Sequence, residues 1–197
     1  MSNEKTYCCY LLANNLNCRS YCGITLDFRR RFRQHSKLLK GGARATSMLS
    51  EPGRWHPIAQ ILGFQNKTQS LQFELCMKQK MSKYRNSCLD KATISRIKTL
   101  AKNATKKSNR VVQLLQVLSL PKWTPKAINS DQVPLRIVWY TDRYRPQAFS
   151  TDFLNEKEHL SEIIHPGIID DCTVQIYNEP NEKVSELVHN PIKQIVV

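Results

Sequence analysis

No apolar run in the 197-residue chain approaches the roughly 20 residues needed to span a bilayer, which excludes a transmembrane helix. The first residues lack the charged and then apolar pattern of a signal peptide, so we do not expect secretion. The seven cysteines are odd in number and include no CxxC pair, which favours reduced thiols in the nucleus or cytoplasm.

Acidic residues are scarce in the first part of the chain. Residues 1–110 contain 22 Lys and Arg but only five Asp and Glu, whereas residues 111–197 contain 8 basic and 11 acidic residues. This basic excess is larger than solubility requires and is typical of a surface that faces a polyanion. Nucleic acid is therefore the favoured partner, and no basic amphipathic segment predicts attachment to a membrane.

The pattern of apolar residues predicts an α/β fold. Asp27 precedes apolar residues spaced by three or four, which predicts a helix that ends before Gly41. A second helix is predicted to turn Leu71, Leu75 and Cys76 toward the core. The predicted strands are 6–12, 19–25, 58–64, 134–140 and 173–177, and the predicted later helices are 70–84, 89–102, 110–118 and 152–164.

Six residues on the predicted strands and helices are candidates for a functional site. They are Tyr10, Tyr21, Gly23, Arg31, His35 and Glu74. The two tyrosines lie on adjacent predicted strands. Arg31 and His35 are four residues apart, so they project from one face of the next helix. Glu74 is one of the five acids of the basic region, which is consistent with either an ion-pair partner or a metal ligand.

The order and spacing of these residues resemble those of the GIY-YIG nucleases. Within that superfamily the chain is most similar, over about residues 6–140, to the catalytic subunit of the eukaryotic structure-specific endonuclease that cuts flaps, forks and Holliday junctions. The motifs that carry the resemblance are Tyr-Cys-Cys-Tyr-Leu-Leu ending at Leu12, Tyr21-Cys-Gly-Ile-Thr25, Phe28-x-x-Arg-Phe-x-x-His35, Lys40-Gly-Gly-Ala-Arg-Ala-Thr46 and Ser70-Leu-Gln-Phe-Glu-Leu75.

The resemblance implies a domain organisation. We expect residues 1–86 to form a GIY-YIG nuclease domain, a small central antiparallel sheet of about three strands flanked by helices. Residues 87–127 are expected to form a helical, basic extension, and residues 128–197 an acidic α+β extension.

The resemblance also implies chemical roles for five of the six residues. Glu74 would bind a single divalent cation, Mg²⁺ or Mn²⁺, and Arg31 would hold the scissile phosphate. Tyr10 would act as the general base toward the attacking water or would only orient it, and Tyr21 would orient water or phosphate. His35 would position phosphate or assist proton transfer, and a purely structural role is equally expected.

Several basic residues surround this predicted site. As contacts to the phosphate backbone they would supply salt-dependent affinity without base readout. Trp123 is expected to pack in the core, whereas Trp55, in a predicted loop, is left open between core packing and base stacking. The predicted DNA-binding residues are Arg29, Arg30, Arg33, Lys37, Lys40 and Arg44.

The chain departs from the family pattern in two ways. Cys8 replaces a usual Gly and Cys22 a usual Ile or Val, and we interpret both as packing substitutions. The cysteine- and histidine-rich zinc domain usual in this branch has no counterpart, because residues 111–197 contain only Cys172 and scattered histidines. We therefore expect no zinc, and the expectation of a scaffold protein subunit as a partner is weakened, because the zinc domain that engages it is missing.

The sequence thus favours a metal-dependent endonuclease that acts on branched DNA in repair or recombination. One alternative is a catalytically idle nucleic-acid-binding module or a partner-dependent nuclease. Another is a repair- or homing-type GIY-YIG nuclease that acts on duplex DNA.

Overall fold

The computed structural model of the chain describes residues 6–14, 19–47, 55–78, 81–100, 109–141, 144–146 and 157–164. Five strands form one sheet in the order β2-β1-β3-β4-β5. The strands are β1 (Cys8–Asn14), β2 (Ser20–Thr25), β3 (Trp55–Leu62), β4 (Leu135–Trp139) and β5 (Leu160–Ile164). The helices are α1 (Phe28–His35), α2 (Arg44–Ser47), α3 (Lys67–Met77), α4 (Ser82–Cys88), α5 (Lys91–Leu100) and α6 (Asn109–Leu118).

The first three strands form the predicted antiparallel sheet, with β1 between β2 and β3. Every residue of β1 is buried, because its side chains alternate between two hydrophobic clusters on opposite faces of the sheet. Cys9 and Leu11 join the larger cluster, whereas Cys8, Tyr10 and Leu12 join the smaller one. The prediction that Cys8 and Cys9 face opposite ways is confirmed.

Two further strands extend this sheet from the C-terminal part of the chain. β4 pairs with β3 in antiparallel orientation, and β5 pairs with β4 in parallel. The sheet is therefore continuous across the predicted boundary at residue 128, and the division into three regions stays a prediction. The helix predicted over 152–164 is wrong at its end, because residues 160–164 form β5; the strand predicted over 173–177 lies outside the described residues.

Helix α3 covers the larger cluster with a different face from the predicted one. Phe73, Cys76 and Met77 are fully buried, as the spacing of three and four residues requires. Leu71 and Leu75 are each 42% exposed, so the prediction that they face the core is wrong. At about 3.6 residues per turn the exposed leucines lie on the side of the helix opposite to Phe73 and Met77. The prediction that Cys76 faces the core is confirmed.

The two tryptophans for which the sequence analysis made a prediction, Trp55 and Trp123, are both core residues. Trp123 packs edge-on against Phe64 and Phe73, as predicted. Trp55 begins β3 and is buried in the smaller cluster, which excludes the base-stacking role left open for it.

Among the helices that the structure describes, none combines the length and the apolar character needed to cross a membrane.

Candidate active site

Helix α1 presents the first part of the site. The Asp27 side chain caps it by accepting a hydrogen bond from the backbone N–H of Arg30 at 2.9 Å, as the sequence predicted. Phe28 and Phe32 anchor the helix in the smaller cluster, and His35 is buried with them. Arg31 comes one turn before His35 on the same side of the helix.

The hydroxyl of Tyr10 joins both of these side chains. It lies 2.8 Å from Nε2 of His35 and accepts a hydrogen bond from Nε of Arg31 at 3.2 Å. Tyr10 itself is fully buried in β1 and packs beside Phe28. The structure therefore brings three of the five predicted catalytic residues into direct hydrogen-bond contact.

Tyr21 belongs to the same group of side chains. Its ring centroid lies 4.9 Å from that of His35 and 6.1 Å from that of Tyr10. Gly23 makes this arrangement possible, because a methyl group there would lie 2.7 Å from the Tyr10 hydroxyl oxygen and 2.9 Å from a ring carbon of Tyr21. The glycine is needed here for close approach.

A second contact holds Arg31 from its other end. Nη1 of Arg31 donates to Oε1 of Gln34 at 3.0 Å, and Nε2 of Gln34 donates to the carbonyl of Lys40 at 3.3 Å. Gly41 and Gly42, both with positive φ, let the loop return close to Gln34. The guanidinium is therefore oriented at two of its three nitrogens.

His35 is held in the same way by the following short helix. Its Nδ1 lies 2.8 Å from Oγ1 of Thr46, and the Thr46 hydroxyl donates to the carbonyl of Ala43 at 2.8 Å. Thr46 is only 1% exposed. Both nitrogens of the imidazole thus have a partner within the protein.

The site favours neutral Tyr10 and His35. Burial raises the pKa of Tyr10 above its ordinary value, and the hydrogen bond from Arg31 offsets this only in part. Burial, and then the positive charge of Arg31, lower the pKa of His35 to about 4. Burial also acts to lower the pKa of Arg31, but the hydrogen bonds with Tyr10 and Tyr21 favour the charged guanidinium, and the pKa rises.

Glu74 lies on α3, which contacts both β1 and β2. Its carboxylate forms an ion pair of 3.4 Å with Lys78, one turn further along the helix. Burial and the neighbouring Cys22 thiol raise the pKa of Cys9, and the negative charge of Glu74 adds to this. The Cys9 side chain belongs to the larger cluster, on the face of the sheet opposite to Tyr10. Among the described residues, the structure brings four of the predicted catalytic side chains together, those of Tyr10, Tyr21, Arg31 and His35. The contact that it gives Glu74 is the ion pair with Lys78.

Two arginines fix the end of the helix that carries Glu74. Nη1 of Arg85, on α4, donates to the carbonyls of Cys76 and Lys78. Nη1 of Arg110, on α6, donates to the carbonyl of Met77 at 2.9 Å. Cations at the last carbonyls of a helix are favourable, so these contacts stabilise the position of α3.

The single carboxylate of Glu74 is a ligand that a magnesium ion can accept. Within the described residues, no group of three or more His, Cys, Asp or Glu side chains could together hold a metal ion. Mg²⁺ accepts a single carboxylate, because it keeps several waters and takes further oxygens from a bound phosphate. The Glu74 side chain is 15% exposed and its ion-pair partner Lys78 is 46% exposed, so the carboxylate has access to solvent.

The predicted DNA-binding residues follow α1 and the loop after it. Arg30, Lys37, Lys40 and Arg44 are exposed, whereas Arg29 and Arg33 are half-buried. The exposed residues lie in the same segment that holds Arg31 and His35 through Gln34 and Thr46.

The departures Cys8 and Cys22 are buried thiols. Cys22 lies on β2, the strand paired with β1, and its Sγ is 3.5 Å from that of Cys9. Burial, followed by the negative charge of Asp27, raises the pKa of Cys8 to about 12. A thiol with a raised pKa is a poor nucleophile and metal ligand, which agrees with the interpretation of Cys8 as a packing substitution. The burial of Cys22 agrees with the same interpretation.

Comparison with known proteins identifies the domain that contains this site. Residues 6–86 match the family model of the GIY-YIG catalytic domain. The match contains all five predicted catalytic residues, and it confirms the resemblance inferred from the motifs.

The chain is also similar to curated fungal proteins. It is 29% identical to the structure-specific endonuclease subunit slx1 of Aspergillus terreus, in an alignment that covers 97% of this chain and 55% of that protein. It is 46% identical to the SLX1 subunit of Ajellomyces capsulatus over 34% of this chain and 16% of that protein. The matching subunit of Phaeosphaeria nodorum is 41% identical over 34% of this chain and 18% of its own length.

The chain thus spans about half the length of the A. terreus protein. Residues 6–86 are similar to the GIY-YIG catalytic domain, and over nearly its whole length the chain resembles a structure-specific endonuclease subunit.

Sequence reasoning missed two residues of the site, Gln34 and Thr46. Gln34 stands three positions after Arg31, a spacing at which helical side chains meet, but so do many pairs that do not interact. Thr46 ends the Lys40–Thr46 motif that carried part of the resemblance. The motif signalled the segment, and only the fold shows that Thr46 contacts His35.

Proposed function

We propose that the chain is a metal-dependent, structure-specific DNA endonuclease that hydrolyses phosphodiester bonds in branched DNA during repair or recombination. The observation that carries the proposal is the hydrogen-bonded contact of Tyr10 with Arg31 and His35 inside a GIY-YIG catalytic domain. The names of the relatives, structure-specific endonuclease subunits, support cleavage that depends on structure. Branched DNA is the substrate that we propose from the family resemblance.

Arg31 is the residue proposed to hold the scissile phosphate. Its Nε and one N–H of Nη1 already donate to Tyr10 and Gln34. A guanidinium has five N–H groups, so the phosphate would meet the end formed by Nη1 and Nη2. Because the protein contacts orient this end in advance, the charge that develops on the phosphoryl oxygens is stabilised without reorganisation of the side chain.

Tyr10 and His35 are proposed to handle the proton of the attacking water. As the water oxygen attacks phosphorus and the bond to the leaving oxygen breaks, the water proton passes to the Tyr10 oxygen. The Tyr10 proton passes at the same time to Nε2 of His35, 2.8 Å away. The lowered pKa of His35 opposes this transfer in the free protein, and the negative charge of a bound phosphate would ease it.

Tyr21 and Glu74 complete the proposed machinery. Tyr21, beside His35 and Arg31, would orient the water or a phosphate oxygen. Glu74 would hold the divalent cation, Mg²⁺ or Mn²⁺, in place of its ion pair with Lys78. The bound cation would neutralise phosphate charge and assist departure of the leaving oxygen.

The surroundings of the site would bind the rest of the substrate. The basic residues of the α1 segment, Arg29, Arg30, Arg33, Lys37, Lys40 and Arg44, would contact backbone phosphates. Selection of branches would come from the bend that such DNA adopts against this surface. Action as a subunit of a larger enzyme, with a scaffold partner and in the nucleus, is proposed only from the relatives' names and the family.

The second candidate is a nucleic-acid-binding module without activity. The exposed basic residues Arg30, Lys37, Lys40 and Arg44 favour nucleic-acid binding, but they do so equally for an enzyme. The buried Tyr10–His35 contact argues for the enzyme, because a binding surface has no use for a desolvated pair beside a phosphate-binding arginine.

The test is a cleavage assay with purified full-length chain on labelled 5′-flap, Holliday-junction and linear duplex DNA. We expect nicking near the branch with Mg²⁺ or Mn²⁺, none with EDTA, and little on duplex. Glu74→Gln is expected to lose cleavage and to retain DNA binding. Glu158→Gln, an exposed acid of the C-terminal region, is the matched control and should cleave normally.

Three results would contradict the proposal. Cleavage that persists in Glu74→Gln would make Glu74 only an ion-pair partner of Lys78. Equal cleavage of duplex and branched DNA would favour the duplex-acting nuclease. Tight, salt-sensitive binding without cleavage under any metal would favour the binding module or a nuclease that depends on a partner.

A further inference from the structure

The hydrogen bonds around His35 form one chain whose two ends have fixed direction. Arg31 stands at one end and carries no acceptor, so its Nε–H donates to the Tyr10 oxygen. The backbone carbonyl of Ala43 stands at the other end and cannot donate, so the Thr46 hydroxyl donates to it. The middle of the chain, Tyr10 to His35 and His35 to Thr46, must fit both ends.

Only one arrangement of protons satisfies every contact of this chain. The Thr46 hydroxyl donates its hydrogen bond to the carbonyl of Ala43, so its oxygen must accept a hydrogen bond from Nδ1–H of His35. A neutral imidazole carries a single N–H, so Nε2 then has a free lone pair. The Tyr10 hydroxyl, which already accepts from Arg31, donates its own proton to that lone pair.

The environment of His35 supports the neutral form that this argument requires. The groups that face the ring are Tyr10 from β1, Tyr21 from β2, Arg31 on its own helix and Thr46 from α2. The one permanent charge among them is the positive charge of Arg31, which disfavours the imidazolium. His35 is itself 2% exposed, so solvent does not compete for either nitrogen.

We propose that Thr46 is a positioning residue that keeps the His35 proton on Nδ1, so that Nε2 faces Tyr10 as a proton acceptor. The proposal rests on the proposed nuclease function for its effect on rate, but the tautomer follows from the contacts alone. The hydroxyl of Thr46 acts only through His35 and touches neither phosphate nor metal. It orients the imidazole as a carbonyl or carboxylate orients a histidine base in other sites.

The first measurement is the tautomer in the full-length protein. Nitrogen-15 chemical shifts of the imidazole, read from a long-range proton–nitrogen correlation spectrum at neutral pH, distinguish a protonated Nδ1 from a protonated Nε2. We expect the Nδ1–H form for His35, with His56, on β3, as an internal reference in the same spectrum. A proton on Nε2 of His35 in the wild-type chain would overturn the proposal, whatever the cleavage assay shows.

The second measurement compares two substitutions at residue 46. Thr46→Val keeps the branched shape and removes the hydroxyl, and Thr46→Ser keeps the hydroxyl and removes a methyl group. In single-turnover cleavage of a 5′ flap, Thr46→Val should be roughly 10- to 100-fold slower, because general-base catalysis commonly contributes at least that factor. Its dissociation constant for DNA should stay within about twofold of wild type, and Thr46→Ser should retain most of the rate.

The outcomes separate the proposal from a merely structural role. Thr46→Val with wild-type rate and tautomer would overturn it, and so would a loss of DNA affinity equal to the loss of rate. Failure of Thr46→Ser to restore the rate would assign the effect to packing. If Thr46→Val does not fold, the wild-type tautomer and the Thr46→Ser rate still decide. If the wild-type chain cleaves no DNA, the proposed function fails, whereas the tautomer assignment is still tested by the spectrum.

Discussion

A methyl group on Gly23 would lie 2.7 Å from the hydroxyl oxygen of Tyr10, closer than a Cβ atom approaches an oxygen in folded proteins. Gly23 is paired directly with Tyr10 across β1 and β2, and both tyrosine rings of the site lie over it. The absence of a side chain at residue 23 therefore permits the hydroxyl contacts with His35 and Arg31.

Gly23→Ala should displace Tyr10 and separate it from its two partners. We expect cleavage to fall at least about tenfold, because an error of about 1 Å in the position of a reacting group costs one to two orders of magnitude. DNA binding should change little, since the basic residues are not touched. Ser20→Ala, on the same strand, is the control; equal activity of Gly23→Ala and wild type would show that the rings rearrange freely.

Arg31→Lys should be almost as damaging as Arg31→Ala. A lysine ammonium keeps the charge but cannot donate simultaneously to Tyr10, to Gln34 and to a phosphate with the planar geometry of the guanidinium. We expect the single-turnover cleavage rate of both variants to fall by two orders of magnitude or more, with a modest loss in DNA affinity. A lysine variant with near wild-type rate would mean that Arg31 supplies charge alone.

The stability of the protein should decrease as the pH falls from 6.5 to 4. The pKa of His35 is about 4 in the folded state and near 6.5 when the chain is unfolded, so only the unfolded state takes up a proton in this window. His35→Gln should lose this part of the pH dependence, on the order of 2 kcal/mol between pH 7 and pH 4.5. Urea unfolding at both pH values measures it, and parallel curves for the two proteins would contradict the assignment.

Tyr140 connects the C-terminal strands to the face of the sheet that carries Tyr10. Its ring lies 5.6 Å from that of Phe28, at the start of α1, and its hydroxyl donates to Oε1 of Gln60 at 2.9 Å. Tyr140→Ala should lower the free energy of unfolding by about 3 kcal/mol, because it leaves a cavity beside Phe28. Tyr140→Phe should cost only about 1 kcal/mol, the value of one buried hydrogen bond. Equal losses in the two variants would mean that the ring contact contributes nothing.

The exposed basic residues should determine how DNA binding depends on salt. Replacement of Arg30, Lys40 and Arg44 by Gln, one at a time, should each reduce the slope of log affinity against log salt by about 0.9 if the residue contacts one phosphate. Lys126→Gln, an exposed lysine outside the α1 segment, is the matched control. Unchanged slopes in all three variants would place the DNA on another face.

The sequence predicted the elements whose signals are local. β1, β2, α1 and β3 were predicted near their observed positions because each has its own periodicity, cap or turn residues. Residues 160–164 were assigned to a helix, yet they form β5 beside β4, because pairing with an open strand edge outweighs a weak local preference. The prediction that Leu71 and Leu75 face the core was wrong for a related reason, because the side of α3 that is buried depends on where the sheet lies.

The sequence predicted which residues form the site, but it did not predict the hydrogen bonds that hold them in place. Tyr10, Tyr21, Arg31, His35 and Glu74 were recognised by order and spacing. The contacts through Gln34 and Thr46 depend on the return of the loop after α1, which no local pattern encodes. The place of Glu74 beside a bound metal stays a prediction.

The pairing of β4 with β3 also has a consequence for biosynthesis. β3 is complete by residue 62, but its free edge finds no partner until residues 135–139 have been made. During translation β1, β2 and β3 therefore leave the ribosome with an apolar strand edge uncovered, the kind of edge that pairs with other chains. The exposure of this edge ends only when β4 pairs with it, more than seventy residues after the end of β3.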